Sequence, residues 1–500
     1  MKVRTPGMAV LTAVMLVCCA CGSAPRKTEP LPTESLVPVT DAPTAAAVPV
    51  SETESPSETE PIPETAAETP PQPADTVGDE GDFIYAPLHK LDGSMPSQGS
   101  AKLAVFYVDF PDCRFRYEPS LEELNAYCFG ESYEETNKNY PFITMRSFLN
   151  RSSKGIMDLT GQVFRYTTTE NKYVYETVED DNGFLVNDEN KQLLMEELFA
   201  NFDDMVDFSQ FDGNGDGVID ELLICVPRSA DEEYWWPASK EYHYDLEADG
   251  VRLGYFVVGS THVNSVEDHR DFAATFLHES GHCMGLPDYY LLCSGDQMEG
   301  LNGDAGNEMM DENYSDFGCF SKLMLGWYRE KQVQIYDQNI GGEQTFCLRD
   351  AQGEHGNCLI LPAGQLDENF FSEYIILEYI TDTGNNVGIN RYKKRQYRLG
   401  EGIRAYHVCA ARCLNATKHY VFTYANNEKT PEVGDGGIRL IRLVNDAEGG
   451  GMFRTGDVLN GSLSGFHWYA ADQSETAETG YTVTVGELTA DGYTVTVTRQ

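Results

Sequence analysis

The chain has 500 residues, with 80 Asp or Glu against 36 Lys or Arg and a formal net charge of −44. That balance excludes a nucleic-acid partner, which needs a basic footprint to meet phosphate. It suits a solubilising cell-surface coat and carboxylate clusters that hold divalent cations.

The first residues, Met1-Lys2-Val3-Arg4, are basic, and an apolar run from Met8 to Val17 follows. Cys18-Cys19-Ala20-Cys21-Gly22-Ser23 closes the segment. Residues 1–21 therefore read as an export signal, too short to span a bilayer. The cysteines resemble a bacterial lipoprotein box. Cys21, preceded by Ala20, is the expected lipidated residue, and Cys19, with Leu16 three before it, is the alternative. An ordinary cleaved signal with incidental cysteines is the plainer reading. A diacylglyceryl anchor would hold the protein on the membrane surface without a spanning helix. Residues 22–82 are dominated by Pro, Thr, Ser, Glu and Ala, with no aromatic before Phe83. Such a segment cannot bury enough apolar surface to offset its ordering entropy, so a disordered tether is expected.

Beyond the tether, Lys102–Phe110 reads as a buried strand stopped by Pro111-Asp112. Met145–Asn150 reads as a short helix and Ile156–Val163 as a strand. Asn187-Asp188 is expected to cap a helix whose Leu194, Leu198 and Phe202 form an apolar stripe. Strands are expected at Glu221–Val226 and Gly254–Val258, and a short helix from near Phe317 to Gly326-Trp327. This alternation of strands and helices indicates an α/β domain. After about Gln332 the pattern becomes strands separated by Gly, Asn and Asp turns. It ends in a strict period-two pair, Tyr481–Val485 and Tyr493–Val497, around Asp491-Gly492. Ten of the 13 cysteines follow the tether, without a framework spacing that would set their pairing.

Two segments carry chemistry. Asp212-Gly213-Asn214-Gly215-Asp216-Gly217-Val218-Ile219-Asp220 puts oxygen ligands at alternate positions around glycines, like the first nine positions of an EF-hand loop. Asp212, Asn214, Asp216 and Asp220 would bind Ca²⁺ by side chain and Val218 by its carbonyl. The twelfth position is Leu223 where a Glu is usual, and a strand follows, so a structural clamp is expected instead of a sensor. The plainer reading is an Asx- and Gly-rich turn without an ion. His278-Glu279-Ser280-Gly281-His282-Cys283-Met284-Gly285-Leu286-Pro287-Asp288 reads H-E-x-x-H-x-x-G-x-x-D. Two imidazoles four residues apart share one face of a helix and can reach one Zn²⁺ at about 2.0–2.1 Å. Glu279 stands where it can take a proton from a water. Gly285 can end the helix in the left-handed conformation, and the chain can then return Asp288 as third ligand. Cys283 is expected to pack.

With both motifs placed, the chain resembles the immune-inhibitor-A-type secreted zinc metalloproteases, a metzincin-like group, from about Lys102 to its end. Further pieces of the resemblance are Phe208 and Phe211 before the acidic loop, Met309-Met310-Asp311, Ser321–Trp327, Ser372–Ile375 and Gly402–Val408. It implies a zincin-like α/β catalytic domain, a twisted mixed sheet with the active-site helix, over residues 83–332. A β-rich C-terminal domain is expected over 333–500. It further implies a methionine turn under the zinc, from Met309 or Met310, with Met310 favoured. The sequence departs from the family in showing no inhibitory pro-segment. Glu373 or Glu308 could replace Asp288 at the metal, and His407 matches a family position whose role the sequence does not supply.

The expected function is a lipid-anchored, monomeric, extracellular endopeptidase acting on proteins or peptides. It would use one catalytic Zn²⁺, Glu279 as general base and at least one structural Ca²⁺. The alternative is a calcium-stabilised adhesin or carbohydrate-binding lipoprotein with a structural zinc. Glu279 separates them, because a structural zinc helix has no need of a carboxylate there.

Overall fold

The structure is a computed structural model. It describes residues 94–176, 178–179, 185–186, 189–228, 235, 237–241, 246–261, 269–290, 306, 308–311, 313–392, 400–414, 420–426, 438–445, 451–470 and 475–500. The expected signal, Cys21, the tether and the capping pair Asn187-Asp188 lie outside these residues.

The first sheet contains β1 (Gly99–Asp109), β2 (Met157–Thr167), β3 (Glu221–Pro227), β4 (Ala238–Glu241) and β5 (Tyr255–Thr261) in the order β2-β1-β3-β5-β4. The first four strands of that order run parallel, and β4 pairs antiparallel to β5 at the edge. A parallel sheet is covered on both faces, so its strands are apolar on both sides. Along β1, Leu103, Val105 and Tyr107 enter one core while Ala104, Phe106 and Val108 enter the other. The second of these cores is closed by α3 (Glu189–Phe202), whose Leu194, Leu198 and Phe202 are buried there as the apolar stripe predicts. The first is closed by α1 (Leu121–Phe129), α2 (Met145–Ser152) and α4 (Arg270–Cys283). Ser120 and Glu123 form a capping box that starts α1, and Thr144 caps α2.

The helix α5 (Cys319–Met324) follows α4, and a second sheet then begins. Its strands are β6 (Val333–Ile335), β8 (Cys358–Pro362), β9 (Glu373–Ile380), β10 (Gly402–Cys409) and β11 (Ile441–Leu443), in that order. The short α6 (Val387–Tyr392) interrupts this half between β9 and β10. A third, antiparallel sheet joins β7 (Gly342–Leu348), β14 (Gly492–Arg499), β13 (Tyr481–Thr489) and β12 (Val458–Leu459). The period-two pair at the chain end forms the β13–β14 hairpin, with an irregularity between Val485 and Leu488.

The middle sheet has two buried faces. Leu359, Leu361, Ile375 and Leu377 pack with Val483, Val485, Val495 and Val497 of the third sheet. Ile360, Tyr374, Ile376 and Tyr406 share one core with Phe276, Met310 and Trp327 from the first half. The position near Gln332 thus marks a change of secondary structure within a continuous apolar core. Trp327 Nε1 donates to the Ser97 carbonyl at 2.6 Å, tying the end of the α5 segment to the start of β1. The described chain is a mixed α/β structure with several sheets, in which strands predominate.

Candidate metal centre

α4 presents the motif. Its C-terminus closes with Leu286 N donating to Gly281 O at 3.0 Å and Gly285 N to His282 O at 2.8 Å. This paired closure needs a left-handed residue, and Gly285 supplies it with φ of 94°. The chain doubles back and delivers Asp288. Its Oδ1 lies 3.1 Å from His278 Nε2 and 3.2 Å from His282 Nε2. Among the described residues, these three form the one group of His, Cys, Asp or Glu side chains whose ligand atoms all lie within 4.8 Å of each other.

The outer nitrogens are also held. His278 Nδ1 lies 2.7 Å from the Met309 carbonyl and His282 Nδ1 2.7 Å from the Leu286 carbonyl. A carbonyl only accepts, so each Nδ1 carries a proton and, in the neutral ring, each Nε2 turns its lone pair inward. Metal-binding histidines are oriented this way. Burial disfavours the charged forms, but pairing prevails. His282 and His278 hold the Asp288 carboxyl well below the usual carboxylate range, and Asp288 raises His282. The donor set, two neutral imidazoles and one carboxylate, fits Zn²⁺.

Glu279 is buried, and burial pushes its carboxyl up against the opposing pull of the two histidines. The backbone of Ser239, on the edge strand β4, opposes that rise. One turn on, Cys283 is fully buried with its Sγ 3.3 Å from Ser239 Oγ, so the thiol packs between helix and strand.

Met310 lies against α4. A Cβ built on Gly281 would stand 2.4 Å from Met310 Sδ and 3.1 Å from its Cε. Tyr289 N donates to Met310 O at 2.9 Å, fastening this turn to the segment that carries Asp288. Met309 contributes its carbonyl to His278 instead. The alternative carboxylates lie elsewhere. Glu308 accepts from Gly318 N at 2.8 Å and Ser321 Oγ at 2.6 Å, and also from Met310 N. Glu373 Oε1 pairs with His407 Nε2 at 2.9 Å and accepts from Tyr469 N at 2.8 Å.

The acidic loop is a chain of turns. Asp212 accepts from the amides of Gly215, Asp216 and Gly217, at 2.6, 3.1 and 2.9 Å. Asn214 Oδ1 accepts from Asp216 N at 3.0 Å, and Asp216 Oδ1 from Val218 N at 2.9 Å. Asp220 is fully buried, and its Oδ2 accepts from Lys102 N at 2.8 Å and Gly213 N at 3.0 Å. Its Oδ1 has no hydrogen-bond partner. Burial pushes this carboxyl up to about 8, and the nearby Asp212 and Asp216 push the same way. The carboxylates of Asp212, Asp216 and Asp220 do not converge as the three side chains of the helix motif do. The feature that fits a divalent cation held by oxygen is the buried Asp220 oxygen without a partner.

The sequence reading missed Glu221 and Ser239. Glu221 heads the apolar strand β3 and is fully buried, its Oε1 accepting from Ser280 Oγ at 3.1 Å. A carboxylate directly preceding Leu222–Val226 was the available signal.

No model of a known protein family matches this chain, and a search of curated proteins finds no match either.

Proposed function

We propose that this protein is a zinc-dependent endopeptidase that hydrolyses peptide bonds of proteins. The observation that carries the reading is the convergence of His278, His282 and Asp288, with both outer nitrogens fixed, beside the buried carboxyl of Glu279. When bound, Zn²⁺ polarises a carbonyl and lowers the pKa of a water towards about 7. His278 and His282 would hold it through Nε2 and Asp288 through Oδ1. The Glu279 carboxylate takes a proton from the attacking water and passes it to the leaving amine. The packing of α4 against a mixed sheet with an antiparallel edge strand supports a zincin-like catalytic domain. The outer edge of β4, which Ser239 places beside Glu279, suits an extended peptide added as a further strand.

Ca²⁺ in the 212–220 loop would act as a clamp, with the Asp220 carboxylate as its buried ligand. The signal and the cysteines at its end support anchoring at a bacterial cell surface through Cys21. No helix among the described residues is long and apolar enough to cross a membrane.

Glu279→Gln tests the reading. Zinc content should stay at one per chain while peptide hydrolysis falls by about 10²–10⁴, the range general-base catalysis contributes. Cleavage at the wild-type level in this variant refutes the assigned base. Absence of cleavage by zinc-loaded wild type across a peptide library favours the adhesin reading.

A further inference from the structure

Two pairs of consecutive residues join the acidic loop to α4. Asp220 and Glu221 stand together at the start of β3, and neighbouring side chains on a strand point to opposite faces. Asp220 turns to the loop, where its Oδ2 accepts from Gly213 N at 3.0 Å. Glu221 turns to α4, where its Oε1 accepts from the Ser280 hydroxyl at 3.1 Å. Ser94 and Met95 repeat the arrangement. Ser94 Oγ donates to the Asp220 carbonyl at 2.7 Å, and the Met95 amide donates to the Cys283 carbonyl at 3.0 Å.

Ser280 is two residues from each ligand histidine. At about 100° per residue it faces away from the metal side and towards the sheet. Glu221 is fully buried; by distance and angle its Oε2 meets no donor, and the Cys283 thiol of α4 is the further polar group that acts on this carboxyl. A half-satisfied buried carboxyl destabilises a fold relative to an apolar side chain. Packing alone therefore gives no reason for a Glu directly behind the motif. The Asp220 Oδ1 next to it is also buried and without a partner, and the same carboxyl meets the loop through Oδ2 at Gly213 N.

We propose that Glu221 is a positioning residue that seats α4 through Ser280 and, through its neighbour Asp220, makes metal affinity at His278, His282 and Asp288 depend on a divalent cation in the 212–220 loop. The inference rests on reading both sites as metal sites. Linkage makes the effect reciprocal, so zinc should tighten calcium by the same factor.

The test uses full-length protein, with zinc affinity measured by competition against a chromophoric chelator, without Ca²⁺ and with millimolar Ca²⁺. Calcium should tighten zinc at least about fivefold, the lower end of usual coupling. Glu221→Ala should weaken zinc and abolish the calcium dependence. Glu221→Gln retains an oxygen for Ser280 and should restore both. Ser280→Ala, a milder change should Glu221→Ala fail to fold, should lose the calcium dependence with Glu221 intact. A purely structural role would lower the melting temperature of these variants and leave the calcium dependence in place, which overturns the proposal. Wild-type zinc affinity indifferent to Ca²⁺ also overturns it, while leaving the peptidase reading standing. Failure of the wild type to bind zinc at all overturns both the proposal and that reading.

Discussion

The contact between Gly281 and Met310 gives a sharp energetic test of the site. A Cβ at Gly281 would stand 2.4 Å from Met310 Sδ, closer than real Cβ atoms approach, and Met310 is fully buried. Gly281→Ala therefore sets two effects against each other. Alanine is favoured over glycine within a helix by about 0.8–1.0 kcal/mol, while overpacking a core costs about 1–3 kcal/mol. The far end of a methionine can shift, which relieves part of the strain. A net loss of about 1 kcal/mol is expected from these ranges. Met310→Ala alone should cost about 2–5 kcal/mol through the cavity it opens. In that background the clash is gone, the new methyl fills part of the cavity, and the helix preference remains. Gly281→Ala should then stabilise by about 1 kcal/mol, a change of sign and a coupling of about 2 kcal/mol. Urea midpoints of the wild type, both single variants and the double variant, at one fixed zinc concentration, give this coupling. Additivity within about 0.5 kcal/mol would refute the reasoning and remove Met310 from beneath α4.

Three other outcomes follow from the site. Metal analysis should find one zinc per chain in the wild type and none in His282→Ala, and full retention in the variant would sink the ligand assignment. Calcium withdrawal at saturating zinc should lower the melting temperature, since a ligand bound only by the native state stabilises by mass action. Asp216→Ala should remove that response, whereas melting that ignores calcium in the wild type makes the loop an ion-free turn. Glu308 sets a pH dependence. Burial pushes its carboxyl up to about 7 from an ordinary value of 4.5. The folded state therefore holds the proton more tightly, and this stabilisation is complete below about pH 4.5 and lost as pH rises through about 7. The loss approaches about 3 kcal/mol at most, from 1.36 kcal/mol per pKa unit. Chemical denaturation from pH 5 to 8 should show the decline, and Glu308→Gln should flatten it; an unchanged slope in that variant would assign the decline to other groups.

The parts of this protein that the sequence determined by itself are the local ones. Four-residue spacing puts His278 and His282 on one helix face, and Gly285 can terminate that helix because a glycine accepts the φ of 94° found there. The stripe Leu194, Leu198 and Phe202, the apolar β1 and the terminal hairpin depend likewise on periodicity that a short window contains. What needed the tertiary structure is every choice between distant partners. The motif favours Asp288 as the third ligand, but on paper Glu308 or Glu373 could replace it. Only the return of the chain after Gly285 brings Asp288 to the imidazoles, while Glu308 serves the Met310 turn and Glu373 pairs with His407. Glu221 and Ser280 are 59 residues apart, and Ser94 and Asp220 are 126 apart. Contacts of that range follow from strand order and from which face of β3 each side chain occupies. No local window contains them, because packing decides them only after β3 is flanked by β1 and β5 and covered by α4.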